Sequence, residues 1–183
     1  MIPLRYLTSL AFWLIFTAPA FAQIEVNPYI GLATGSQEVQ LPGPTDIFET
    51  YTGDHLLAGV DLLFGAGQLA PLAGIAYRPN TYENQAGRAY SDHRLSLPLG
   101  AAYRILAADF DLNLVFHAAV VPGMFWGDDP AGDDRGVDWA ARGGLTLYLG
   151  TVTVGGQYYW NLGEDPLEIT RTNAFILTMG GRF

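Results

Sequence analysis

From Phe110 to Val121 the even positions read Phe110, Leu112, Leu114, Phe116, Ala118 and Val120, while the odd positions hold Asp111, Asn113 and His117. A repeat of two sends successive side chains to opposite faces, so the segment reads as a strand with one apolar and one polar face. His93–Ile105 repeats this, with Leu95, Leu97, Leu99, Ala101, Tyr103 and Ile105 on one side and Arg94, Ser96, Pro98, Gly100, Ala102 and Arg104 on the other. Val137–Leu149 sets Trp139, Ala141, Leu145, Leu147 and Leu149 against Asp138, Arg142, Gly144, Thr146 and Tyr148, and Val152–Trp160 continues through Val154, Tyr158 and Trp160. Fainter alternation runs over Ile24–Thr34, Leu56–Phe64 and Leu69–Arg78, and a last strand is expected over Thr172–Phe183. The pattern predicts eight strands and an all-β fold.

The predicted connections alternate in length. Long ones cover Gly35–Asp54, Pro79–Asp92, Pro122–Gly136 and Asn161–Arg171; short ones cover Gly65–Gln68, Leu106–Ala108 and Gly150–Thr151. Long outer loops, short inner turns and strands of about ten residues are the proportions of an antiparallel up-and-down transmembrane β-barrel. Alternation alone also fits a soluble sandwich, so the decision rests on the less apolar face. Against water that face would carry Lys, Glu, Thr and Gln, whereas here it holds Gly, Ala, Ser and isolated charges, which fit the interior of a narrow tube. The greasy face is therefore assigned to lipid.

The aromatic residues sort by strand end on that face. Tyr77, Trp139, Trp160 and Phe175 fall toward the external ends, and Phe64, Tyr103, Phe110 and Phe183 toward the periplasmic ends, the positions of two interfacial girdles. The inward charges Glu25, Asp61, Arg78, Arg94, Arg104, Asp111, Asp138, Arg142 and Arg182 carry both signs. An unpaired charge away from water is costly, so these residues are expected to form a structural network of arginine and carboxylate through the lumen.

Residues 1–22 have the profile of an export signal. Arg5 gives the positive start, Leu7–Phe16 the apolar stretch, and Ala20-Phe21-Ala22 a small-x-small cleavage site before Gln23. The barrel domain is then expected over 23–183. The formal net charge of -9 becomes -10 once Arg5 is removed, which makes nucleic acid an improbable partner. All nine basic residues are Arg, and Cys is absent, so there is neither a disulfide framework nor a cysteine for a lipid anchor.

Near the C-terminus Phe175, Leu177 and Met179 alternate toward the terminal Phe183, with Gly181 in a slot where an apolar residue is usual. This resembles the barrel-assembly signal of outer-membrane proteins, and the whole expected barrel resembles the small OmpA-like barrels and the outer membrane protein beta-barrel domain family. The resemblance implies an outer-membrane location, lipid as surroundings, and the barrel-assembly machinery as a partner through the last strand.

Three histidines, His55, His93 and His117, raise the question of catalysis. Phe116-His117-Ala118-Ala119 resembles the strand carrying the catalytic histidine of lipid A deacylases, but Ala119 stands where the serine belongs, and His117 is assigned to the lumen. Ser91, Asp92 and His93 alternate between faces and make no triad. The third long loop joins Phe125 and Trp126 to Asp128, Asp129, Asp133 and Asp134, a solvated acidic loop without the ligand spacing of a calcium loop. No catalytic, cofactor or metal site is assigned. The expectation is a monomeric, non-enzymatic outer-membrane barrel whose external loops meet an unidentified surface partner; a lipid-modifying enzyme, a periplasmic lipocalin-like carrier and a gated pore are the competing readings.

Overall fold

The computed structural model describes residues 23–41, 47–105, 112–127, 137–162 and 169–183. The strands are β1 Ile24–Leu41, β2 Ile47–Phe64, β3 Leu69–Asn84, β4 Ala89–Ser96, β5 Leu99–Arg104, β6 Leu112–Gly127, β7 Val137–Leu149, β8 Val152–Asn161 and β9 Ile169–Gly181. All pair antiparallel, and the sheet closes because β1 pairs with both β2 and β9 while β2 also pairs with β3. Closure removes the edges that lipid could not satisfy.

Among the described residues nine strands make eight spans. β4 and β5 lie end to end, each between β3 and β6, and together they replace the single strand expected from His93 to Ile105. The break falls at Pro98, which has no N–H for the ladder. Bonds still bridge it, since Leu97 N–H donates to the Pro122 carbonyl at 2.9 Å and Gly74 N–H to the Pro98 carbonyl at 2.8 Å. Beside it, a Cβ on Gly100 would strike the Ala118 carbonyl, so only glycine lets β5 approach β6 there.

The external ends are longer than expected. Gly35–Asp54 and Pro79–Asp92, expected as loops, are mostly paired strand: β1 and β2 stay in register out to Leu41↔Ile47, and β3 and β4 out to Glu83↔Ala89. The connections shrink to 42–46 and 85–88. β6 likewise runs to Gly127, so Phe125 and Trp126 belong to a strand and not to a loop. At the other end 65–68 joins β2 to β3 and 150–151 joins β7 to β8, Gly150 adopting a φ of 62°, and Val26 and Phe183 exchange backbone hydrogen bonds.

Twenty-nine large apolar side chains among the described residues are exposed, far more than a water-facing surface carries. They belt the barrel, with Leu32, Leu56, Leu99, Phe116, Val120, Leu145, Val154 and Leu177 pointing outward. Beyond the belt on the external side the outward positions turn polar: Thr52, Asp54, Thr81, Glu83 and Ser91 are all exposed. That change marks the membrane boundary. The exterior does not fit a lipocalin-like carrier, which needs a wet outside.

Candidate functional site in the lumen and at the external rim

The interior is built in layers. At the periplasmic end Glu25 accepts from Arg104 at 3.2 Å, from Arg182 Nε at 3.0 Å and from Asn27 at 3.0 Å. Arg104 also donates to the carbonyls of Gly65 and Gly67, and the Arg182 guanidinium lies 5.4 Å from the Tyr148 ring centre. One carboxylate thus ties the first strand, the segment following the last strand and a turn together.

In the middle Arg142 and Asp61 form a two-point pair at 3.2 and 2.9 Å, and Arg142 also reaches the Tyr29 hydroxyl at 3.4 Å. The Arg142 side chain is 0% exposed and that of Asp61 10%. Parallel N–H···O bonds of this kind fix orientation as well as energy. Above it Arg94 pairs with Asp138 at 3.2 Å and lies over Phe125 at 4.9 Å. Arg78 stands opposite Arg94 in the ladder but has no carboxylate partner among the described residues. The expected network is therefore incomplete at this level, and Asp111 lies outside the described residues.

The lumen is not filled by small residues alone. Tyr29, Tyr148 and Tyr159 are buried inside it; the alternation already put Tyr148 on the inner face, whereas Tyr29 and Tyr159 were not singled out. Glycine makes room for them: a Cβ on Gly59 would sit 2.6 Å from the Tyr29 ring. Higher up, Tyr51, Tyr82 and Tyr90 pack together with ring centres 5.1 Å apart. Tyr51 donates to Glu49 at 2.9 Å, and Glu49 also takes Asn84 at 2.7 Å and Arg88 at 3.1 Å. Burial and the Glu49 carboxylate raise the Tyr51 phenol above its ordinary value, so it stays a neutral donor at pH 7.

The histidines divide by face. His55 is buried where the β2–β3 ladder lapses between Thr52↔Glu83 and Ala58↔Tyr77, and its Nδ1 accepts the Thr81 N–H at 3.1 Å. Its role is to satisfy a backbone donor that the ladder leaves open. His117 points inward, 3.4 Å from the Thr146 hydroxyl. His93 stands on the outer surface, its Nδ1 2.8 Å from the Tyr77 hydroxyl and its ring stacked on Trp126. Ser91 shares that outer face, whereas Asp92 turns inward and bonds Asn80.

Tyr77, Trp126, Trp139, Trp160 and Phe175 form the external aromatic ring, all of them exposed. Tyr103 and Phe183 are exposed near the periplasmic end, Phe64 is half-buried there, and Phe110 lies outside the described residues. Asp128, Asp129, Asp133 and Asp134 also lie outside them.

A closed antiparallel cylinder, apolar without and charged within, is a transmembrane barrel of the outer-membrane type. No family profile and no curated protein matches the chain. Solved structures do. Ail, the attachment invasion locus protein of Yersinia pestis, in complex with the heparin analogue sucrose octasulfate, is 16% identical, covers 88% of this chain and 99% of its own length, and gives a TM-score of 0.51. Neisserial surface protein A is 13% identical over 85% of this chain and 95% of its own, with a TM-score of 0.49. The outer membrane enzyme PagL is 18% identical over 79% and 97%, with a TM-score of 0.47. The chain has the fold of the small OmpA-like outer-membrane barrels, and its apolar belt is that of a protein residing in the outer membrane.

Proposed function

We propose that the protein is a non-enzymatic integral outer-membrane barrel that acts through its external rim on a partner with a cationic contact surface. The observation that carries this reading is the pair of hairpins, β1–β2 and β3–β4, that continue as paired strand past the membrane belt. They hold a rim on rigid supports, the usual arrangement for recognition. The segments 35–54, 79–92, 122–136 and 161–171 contain thirteen carboxylates and three arginines. Ail is solved with a sulfated polyanion; a rim this acidic would repel one and attract cationic groups.

The test uses proteoliposomes carrying the barrel and polylysine as the probe. Binding at low salt is expected, weakening as salt rises, and the quadruple change Asp128→Asn, Asp129→Asn, Asp133→Asn and Asp134→Asn is expected to reduce it several-fold. Equal binding by the quadruple variant and the wild type would refute the cationic assignment.

One observation favours lipid modification as the second reading: His93 meets the lipid surface, hydrogen-bonded to Tyr77. Mass spectra of lipid A from cells with and without the protein separate the two. Identical spectra are expected; a modification lost in His93→Ala would replace the first reading with the second.

A further inference from the structure

Arg78 and Arg94 are direct cross-strand partners, both inward and both buried, at 6% and 2% exposure. Like charges placed opposite each other in a ladder repel, and a guanidinium removed from water needs acceptors. Arg94 has Asp138 on one nitrogen, but its Nε is buried without an acceptor. Arg78 is worse served, because its Nε and one terminal nitrogen are both buried and unbonded.

The two arginines line a common cavity of about 10 Å³ in the upper lumen, the room that one water-sized occupant needs. Its remaining wall is made by the hydroxyl-bearing Ser96 and Tyr159 and by three aliphatic side chains. Among the described residues no carboxylate lines it. Both guanidinium groups thus reach a shared space whose remaining polar groups are two hydroxyls, and they leave three buried nitrogens without a partner.

We propose that this cavity is a binding site for one small inorganic anion of halide size, held between the Arg78 and Arg94 guanidinium groups. The anion completes the lumen network where two facing guanidinium groups leave buried N–H donors unbonded. The cavity's small size favours a monatomic anion over phosphate or sulfate, and the two guanidinium groups disfavour a cation. The inference is independent of the rim's function, so each can fail alone.

The test is thermal unfolding of the full-length barrel in detergent, with chloride exchanged for gluconate at fixed ionic strength. The midpoint is expected to rise with chloride, by about 4 °C per tenfold increase above half-saturation. Arg78→Leu is expected to abolish that slope, while Arg88→Leu, which removes the same charge from the exposed rim, retains it. Crystals grown in bromide are expected to give an anomalous peak between Arg78 and Arg94. A flat chloride response in the wild type, an equal slope in Arg78→Leu, or loss of the slope in Arg88→Leu would overturn the proposal. If Arg78→Leu does not fold, the bromide map decides: a peak supports the site, and a bromide-free cavity refutes it.

Discussion

Replacing Arg142 by Met removes the centre of the lumen network at nearly constant volume. It leaves Asp61 buried at 10% side-chain exposure without the two N–H donors that now reach it at 3.2 and 2.9 Å. Breaking a buried pair from one side costs about 3–5 kcal/mol, because the surviving charge has no water to return to. For a chain of this length that corresponds to a fall of roughly 6–20 °C in unfolding temperature. The double variant Arg142→Met with Asp61→Leu removes both charges and is expected to return to within about 2 kcal/mol of the wild type, or to exceed it. Heat-modifiable gel migration in detergent reads the folded fraction, and circular dichroism gives the midpoint. The reasoning fails if the single variant melts with the wild type, or if the double variant is as weak as the single.

Spin labels at Leu114 and Leu147, both on the outer face, are expected to be accessible to oxygen and shielded from a water-soluble nickel chelate in vesicles; the reverse would contradict the inside-out assignment. Gly100→Val drives a side chain against the Ala118 backbone carbonyl and is expected to lower stability by about 1–3 kcal/mol, read as a lower urea midpoint for the folded band; an unchanged midpoint would mean β5 is free to move away from β6.

Within the membrane belt the sequence pattern and the structure agree face by face. Leu112, Phe116 and Val120 look outward while Asn113, Val115 and His117 look inward, since period two is a local property of a strand. Beyond the belt the polarity inverts. Tyr51, Tyr82 and Tyr90 are buried inside, while Thr52, Thr81, Glu83 and Ser91 face water, so a rule of apolar outward and polar inward mistakes these strands for loops. The inward charges were readable from parity, but their partners were not. Glu25 and Arg182 are separated by 157 positions and meet only because the barrel closes. His93 and Trp126 became neighbours in the same way, by pairing of β4 with β6. Pro98 could be placed on the inner face but gave no warning that it would divide a span, because bonds to β3 and β6 keep the two halves aligned.

The charged interior follows from having lipid outside. In a soluble barrel the apolar face chooses the core and thereby fixes register; here an apolar lumen would leave both faces of every strand alike, and a slip of one residue would go unpunished. Arg104, Arg142 and Asp61 make that slip expensive. Shifting β7 by one position would turn Arg142 into the hydrocarbon, at about 2–4 kcal/mol near the midplane, and would also strand Asp61. The ion pairs therefore serve mainly to specify which way each strand faces, and they do so below the rim. Changes in the acidic segments above the belt leave these pairs untouched, so the surface that meets a partner can change without altering the cylinder that carries it.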